Sequence, residues 1–117
     1  MARISTHVLD IGLGRPAAGV RIELFSHTDG KRHRLCSTIT NADGRTDEPL
    51  MAAGTIAPGI YELDFHAGAY FQSSSAFQAG ALFFDVITVR FEVADPRGSH
   101  HVPLLLAPNG YTTYRGS

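Results

Sequence analysis

The sequence has a single cysteine, little net charge and no long apolar run, and each shortage excludes a class of protein. Cys36 stands alone among 117 residues, so the chain cannot form an internal disulfide. A net charge of -1 attracts neither nucleic acid nor an anionic membrane surface. No apolar run approaches the roughly 20 residues of a membrane span, and the first residues lack the apolar core of a secretory signal. We therefore expect a cytoplasmic protein with no nucleic-acid or membrane partner.

The motifs of common cofactor and metal enzymes are also missing. The segment Gly12-Leu13-Gly14 lacks the third glycine and the following helix of a dinucleotide-binding loop. The histidines and the cysteine show none of the short spacings typical of zinc ligands. Ser73-Ser74-Ser75 does not form the Gly-x-Ser-x-Gly elbow of a serine hydrolase. The sequence therefore predicts no cofactor and no metal centre.

Short apolar segments separated by turn residues make up most of the chain. A composition of 44% apolar and 18% charged residues is typical of a globular protein, and residues 1–117 fit one domain. The alternation of apolar and polar residues in segments such as Val20 to Ser26 predicts half-buried strands. The one plausible helix is Gly68 to Ala79. The predicted strands, which indicate an all-β sandwich or barrel, cover residues 4–9, 20–26, 35–40, 60–66, 85–94, 99–106 and 111–115.

Six histidines are candidates for chemistry, and most of them have a simpler interpretation. His27 and His33 flank a predicted turn and are interpreted as solvated loop residues. His66 ends a predicted strand, where a structural or surface role is favoured. His100 and His101 are adjacent in a predicted strand, so their side chains point to opposite faces and cannot easily share a metal ion.

Three further residues have two interpretations each. His7 is a polar residue in an apolar first strand, so it is either a hydrogen-bonded core histidine or part of a site. Arg45 follows a turn glycine. It is either an exposed charge of the turn or a guanidinium that donates paired hydrogen bonds to an anionic or carbonyl-rich substrate. Cys36 has no obvious activating partner in the sequence, which favours an apolar role over a catalytic thiol.

Four segments carry a more specific signal. Their most distinctive part is the C-terminal tetrapeptide, Tyr114-Arg115-Gly116-Ser117. The segments are Ser5-Thr6-His7-Val8-Leu9-Asp10 with Gly14-Arg15-Pro16-Ala17, Thr40-Asn41-Ala42-Asp43-Gly44-Arg45-Thr46, Phe65-His66-Ala67-Gly68-Ala69-Tyr70-Phe71, and His101-Val102-Pro103-Leu104-Leu105-Leu106 running into Tyr111-Thr112-Thr113-Tyr114-Arg115-Gly116-Ser117. Together, in order and over essentially the whole chain, they resemble the transthyretin-like 5-hydroxyisourate hydrolases. The tetrapeptide Tyr114 to Ser117 separates these hydrolases from transthyretin, a hormone carrier with the same fold.

The resemblance implies a fold, an assembly and a reaction. The fold is a transthyretin-like sandwich of about eight strands in two sheets with one short helix. The assembly is a homotetramer, a dimer of dimers, with active sites in the channel where the dimers meet. The reaction is the hydrolysis of 5-hydroxyisourate to 2-oxo-4-hydroxy-4-carboxy-5-ureidoimidazoline in urate breakdown. The alternatives are a non-enzymatic carrier of small aromatic ligands and a purely structural β-domain.

The resemblance also assigns roles to residues that are far apart in the chain. A neutral histidine can accept a proton from water near pH 7, and an arginine can stabilise an oxyanion. The sequence leaves open which of the two assigned histidines is the base. The implied catalytic residues are His7, Arg45, His101 and Ser117, and the implied substrate contacts are His7, Arg45, Tyr114, Arg115 and Gly116.

Overall fold

The computed structural model describes residues 2–52, 54–73 and 82–117. Within them the chain forms eight β-strands and one short α-helix. No helix of this described part is long and apolar enough to cross a membrane. The elements in chain order are β1 (Arg3–Asp10), β2 (Arg15–Pro16), β3 (Arg21–Thr28), β4 (Lys31–Ile39), β5 (Gly59–His66), α1 (Ala67–Ser73), β6 (Val86–Val93), β7 (Ser99–Ala107) and β8 (Gly110–Thr113).

The strands form two four-stranded sheets. Sheet 1 has the order β2-β1-β7-β8, and sheet 2 has the order β4-β3-β5-β6. Neighbouring strands are antiparallel except β1 and β7, which run parallel. Because β1 and β7 come from opposite ends of the chain, their pairing brings distant parts of the sequence together in the middle of sheet 1.

The apolar core lies between the two sheets. In β1, buried residues alternate with residues that are exposed or half-buried, as expected when side chains point to alternate faces of a strand. Both sheets contribute fully buried apolar side chains, so the structure confirms the predicted two-sheet sandwich. The largest of these side chains are Ile4, Val8, Leu104 and Leu106 from sheet 1, and Ile22, Leu24, Leu63, Phe65 and Val93 from sheet 2.

The hairpin between β3 and β4 corrects one expectation. The two strands pair as far as Thr28 and Lys31, so only Asp29 and Gly30 form the turn. Their φ values of 53° and 74° are both positive, as a two-residue hairpin of type I′ requires. The interpretation of His27 and His33 as loop residues is therefore wrong, because both lie in paired strands.

One strand is missing from the predicted set, and others differ in their bounds: β4 begins at Lys31 instead of Leu35, and β8 ends at Thr113 instead of Arg115. The two residues of β2 are too few to show an alternating pattern, so this strand is absent from the predicted set. The helix α1 begins at Ala67 rather than Gly68, and its described part ends at Ser73. Residues 74–79 of the predicted helix lie outside the described residues.

Candidate active site

The outer face of sheet 1 carries the polar residues of β1 and β7. In β1, Thr6 points into the sandwich, whereas Ser5 and His7 lie on the outer face with partly exposed side chains. The parallel register places Ser5 opposite His101 of β7. The Ser5 Oγ and the His101 Nδ1 are 2.9 Å apart. Two residues separated by 96 positions are thus neighbours on one sheet face.

The turn after β4 places Asp43 and Arg45 beside β1. The Asn41 side-chain oxygen accepts hydrogen bonds from the backbone N–H groups of Asp43 and Arg45, which closes the turn. Gly44 has a φ of 75°, and a Cβ there would collide with the backbone oxygen of Val8. Only glycine fits both conditions. The Val8 N–H then donates to the Gly44 carbonyl at 2.8 Å, so the turn is held against the strand that carries the first site histidine.

This turn also fixes the ring of His7. The His7 Nε2 lies 2.9 Å from the backbone oxygen of Asp43. A carbonyl oxygen can only accept a hydrogen bond, so Nε2 carries the hydrogen and the neutral ring keeps its lone pair on Nδ1. His7 is therefore a partly exposed histidine of the outer face, and the interpretation as a core histidine is wrong.

The chain beyond the turn forms one wall of a cavity. It rejoins β1 where the Leu50 N–H donates to the Ile4 carbonyl at 2.8 Å. Between these two anchor points, residues 45–47 and 49 face the cavity. The cavity has a volume of about 240 Å³, and the residues that line it include Arg3, Ser5, Arg45, Asp47, His101 and Ser117. Three of the four predicted catalytic residues thus meet at one place.

The C-terminal segment packs directly on His101. The Gly116 N–H donates to the His101 carbonyl oxygen at 2.8 Å, and the two residues form an isolated β-bridge. A Cβ on Gly116 would collide with the Cδ2 atom of the His101 ring. The terminal glycine therefore permits a close approach that any larger residue would prevent, and it leads Ser117 to the cavity.

Tyr114 and Arg115 lie at a different place. They line a second cavity of about 150 Å³ together with Phe91, Val102 and His101. Tyr114 is 55% exposed, and the Arg115 guanidinium donates to the Ser99 carbonyl at 3.3 Å. Within the described part of this chain, Tyr114 and Arg115 do not line the cavity that holds Arg45 and Ser117, and neither do the predicted site residues His7 and Gly116. His101 lines both cavities.

His101 lies in a cationic environment. Burial lowers the pKa of its imidazole, and the positive charges of Arg45, of His7 in its protonated form and of Arg3 lower it further. The ring is therefore neutral at pH 7 and has a lone pair that can accept a proton. This environment suits activation of water beside a group that develops negative charge.

The other candidate residues have structural roles. His100 points into the sandwich, opposite to His101 as predicted, and its Nε2 is 2.9 Å from the Asp95 carbonyl oxygen. The His66 Nε2 lies 2.8 Å from Glu23 Oε1, which supports the structural interpretation. Burial raises the pKa of the Cys36 thiol, so this group is a poor nucleophile.

Sequence reasoning missed Ser5 and Arg3 as members of the site. Arg3, Ser5 and His7 stand at alternate positions of β1, so strand periodicity places all three side chains on one face. Their distance from His101 depends on the register of β1 against β7. Across the described ranges, no three side chains of histidine, cysteine, aspartate or glutamate are grouped to hold a metal ion.

Comparison with known proteins identifies relatives over the full length of the chain. The HIUase/Transthyretin family model matches residues 4–116. A 5-hydroxyisourate hydrolase 2 of Rhizobium meliloti (strain 1021) is 49% identical over 115 residues, which are 98% of this chain and 96% of the relative. A 5-hydroxyisourate hydrolase of Deinococcus radiodurans is 48% identical over 97% of this chain and 95% of its own.

Solved structures give the same result. The 5-hydroxyisourate hydrolase of Klebsiella pneumoniae superposes with a TM-score of 0.80 at 34% identity, over 100% of this chain and 94% of its own. An (S)-allantoin synthase gives a TM-score of 0.90 at 38% identity, and 99% of this chain spans 44% of that longer protein. Transthyretin of Sparus aurata, with a TM-score of 0.87 at 24% identity over 99% and 97% of the two chains, shares the fold. The protein belongs to the HIUase/transthyretin family.

Proposed function

We propose that the protein hydrolyses 5-hydroxyisourate to 2-oxo-4-hydroxy-4-carboxy-5-ureidoimidazoline in the breakdown of urate, without a cofactor. One observation carries this proposal: Arg45, His101 and Ser117 line one cavity although they come from three distant parts of the chain. Relatives that are 49% and 48% identical are named hydrolases of this substrate, which supports the same reaction.

The geometry suggests how water is activated. His101 and His7 each have one ring nitrogen engaged by the protein, Nδ1 of His101 by Ser5 and Nε2 of His7 by Asp43. The carbonyl contact leaves the lone pair of the neutral His7 ring on Nδ1, and Nε2 is the nitrogen of His101 that remains for a water molecule. We assign water activation to these two histidines jointly, and the Ser117 hydroxyl or terminal carboxylate orients the water or a ring.

The bond changes follow from this arrangement. Water loses a proton to a histidine nitrogen while its oxygen bonds to the C6 carbonyl carbon of the substrate. The carbonyl oxygen becomes an oxyanion, which the Arg45 guanidinium stabilises with its permanent charge and paired donors. Collapse of this intermediate breaks the N1–C6 bond, and the histidinium returns the proton to N1. The ring is opened and the new carboxyl group remains on the product.

Tyr114, Arg115 and Gly116 complete the proposed substrate site. Gly116 acts through the backbone, because it holds the strand segment of His101. Tyr114 and Arg115 line the neighbouring cavity. They can therefore contact the substrate only if it extends into that cavity, or if they belong to a second subunit that faces this site. We propose a homotetramer, a dimer of dimers, in which the outer faces of sheet 1 meet and enclose the sites. Light scattering tests it, and a fully active monomer contradicts it.

The domain and the compartment belong to the same proposal. Residues 1–117 are proposed to form one transthyretin-like domain, which a single cooperative unfolding transition would support. The location is proposed to be cytoplasmic, which cell fractionation tests.

A carrier of small aromatic ligands is the competing function on this fold. Its support is a sea bream transthyretin structure in complex with thyroxine, with a TM-score of 0.85 at 27% identity. The relatives with the higher identities of 49% and 48% are hydrolases. The hydrolase is therefore the better supported function.

The deciding experiment follows the decay of freshly made 5-hydroxyisourate. Urate oxidase produces this compound from urate, and its ultraviolet absorbance decays slowly without a catalyst. We expect the wild-type protein to accelerate the decay and a variant that lacks residues 114–117 to lose this effect while its sandwich remains folded by circular dichroism. A wild-type protein that binds small aromatic ligands and leaves the decay rate unchanged would support the carrier instead.

A further inference from the structure

The hydroxyl of Ser5 contacts the ring of His101 across the β1–β7 register. The distance between Ser5 Oγ and His101 Nδ1 is 2.9 Å, and the pair is partly buried. Among the described residues, Ser5 is the one hydrogen-bond partner of this ring. The remaining ring nitrogen, Nε2, is therefore the one available to a water molecule.

A serine hydroxyl can act in either direction in this contact. If it donates to Nδ1, the neutral ring carries its hydrogen on Nε2 and cannot accept a proton there. If it accepts from Nδ1, the lone pair lies on Nε2. The proposed hydrolysis requires a bare Nε2, because Nδ1 is in contact with Ser5 and only Nε2 is left to accept a proton from water. The second arrangement is therefore favoured.

The backbone restrains the same ring from another side. Gly116 leaves no room for a Cβ next to the Cδ2 atom of His101, and its N–H holds the His101 carbonyl. A rotation of the ring by half a turn would exchange Nδ1 with Cδ2 and would break the contact with Ser5. The ring is thus held between Ser5 on the Nδ1 edge and Gly116 on the Cδ2 edge.

We propose that Ser5 is a positioning residue that accepts the Nδ1 hydrogen of neutral His101, and that it thereby keeps the Nε2 lone pair ready for the proton of the attacking water. This inference rests on the proposed hydrolysis and assigns a defined role to a residue outside the catalytic set. Ser5 touches neither water nor substrate in this role. It acts by selecting one of the two tautomers of the base.

The first test is a nuclear magnetic resonance measurement on protein labelled with ¹⁵N-histidine. Protonated and bare ring nitrogens have well separated ¹⁵N shifts, and a His101→Asn variant assigns the signals of His101. In the wild-type protein at neutral pH we expect a protonated Nδ1 and a bare Nε2. In Ser5→Ala we expect the Nε2-protonated tautomer to gain population.

The second test is kinetic. We expect Ser5→Ala to lower kcat about five- to tenfold, which is the effect of one neutral hydrogen bond, and to change KM by less than about twofold. Ser5→Thr keeps a hydroxyl and should restore most of kcat. Ser99→Ala is the matched control, because Ser99 lies in β7 on the same face as His101. This variant also loses a hydroxyl, and it should retain the kcat of the wild-type protein.

The two tests separate the inference from the proposed function. An active wild-type protein with a protonated Nε2 overturns the role of Ser5 and leaves the hydrolysis intact. A Ser5→Ala variant with the kcat of the wild-type protein has the same meaning. A wild-type protein that does not hydrolyse 5-hydroxyisourate overturns the proposed function and, with it, the catalytic value of the Ser5 contact.

Discussion

The outer faces of the two sheets carry similar residues with different partners. On sheet 2, the carboxylate of Glu62 lies 3.0 Å from the Nε of Arg32 and 2.9 Å from the Nε of Arg90. Asp64 binds Arg32 at 2.8 Å and accepts the Thr88 hydroxyl at 2.7 Å. These carboxylates are nearly buried under the arginines. Every charge named here is matched by an opposite one.

Histidine shows the contrast most directly. On sheet 2, hydrogen bonds from His66 and Arg34 lower the pKa of Glu23, so its carboxylate is charged. Its Oε1 atom lies 2.8 Å from the Nε2 atom of His66. On sheet 1, the partner of His101 is a neutral hydroxyl. In the described residues, none of Arg3, His7, Arg45 and His101 forms an ion pair with a carboxylate. Matched charges stabilise a surface, whereas unmatched cations beside a neutral base leave it free to react.

The largest expected effect compares one histidine from each face. His101→Asn should lower kcat/KM by about 100-fold or more, because a ring that accepts the proton of water is removed. His66→Asn, its matched control, should retain activity within about twofold. Measuring the decay of 5-hydroxyisourate with both variants decides the question. Equal losses in the two variants would break the distinction between the faces.

The next largest effect concerns Gly116, whose backbone packs on His101 at the outer face of sheet 1. Gly116→Ala places a Cβ against the His101 ring, so the ring must move and kcat/KM should fall about tenfold or more. Gly110→Ala is the control, because no neighbour lies near the added Cβ. If Gly116→Ala has the kinetics of Gly110→Ala, the C-terminal segment does not position His101.

The matched charges of sheet 2 should affect stability without affecting catalysis. Glu62→Gln removes the charge that Arg32 and Arg90 share, and it should lower the free energy of unfolding by about 1–2 kcal/mol, since both arginines are partly exposed. Urea denaturation measures this change, with the exposed Glu48→Gln as the control. An unchanged unfolding midpoint, or a loss of kcat, would contradict the structural role of this face.

The smallest effect is on the pH dependence of activity. Because the pKa of His101 is lowered below its usual 6.5, the neutral base persists in weak acid, and kcat/KM should reach half of its maximum below pH 6.5. Arg3→Gln removes one cation, so this half-maximal pH should rise, on the order of 0.3. Arg97→Gln, at an arginine paired with Asp95, should leave it unchanged. A lower half-maximal pH in Arg3→Gln than in the wild-type protein would contradict the electrostatic explanation.

Other charged groups around His101 bear on this measurement. His7 and Arg45 act in the same direction as Arg3. Asp47 lines the same cavity, and Glu92 and Arg115 line the second cavity beside the ring. The pH profile therefore reports the combined environment of His101, and the difference between Arg3→Gln and the wild-type protein isolates one contribution to it.

Much of the fold could be predicted from the sequence. The family identified from the four segments is confirmed, and so are the sandwich and most strand positions. Alternation correctly separated His100 from His101 because side-chain direction along a strand depends only on neighbouring residues. The hairpin histidines were misplaced because polar residues around a turn do not show where strand pairing stops.

Local sequence determined which face each side chain occupies and where the chain must turn. The period of two in β1 and β7 and the glycine at position 44 act over a few residues, so the sequence alone expresses them. Tertiary structure decided which distant residues meet. The register between β1 and β7 sets Ser5 against His101, the docking of Gly44 on Val8 brings Asp43 to His7, and the return of Gly116 closes the site. These contacts depend on how the whole core packs, because the register that buries the apolar faces of both strands also fixes the polar pairs on the opposite face.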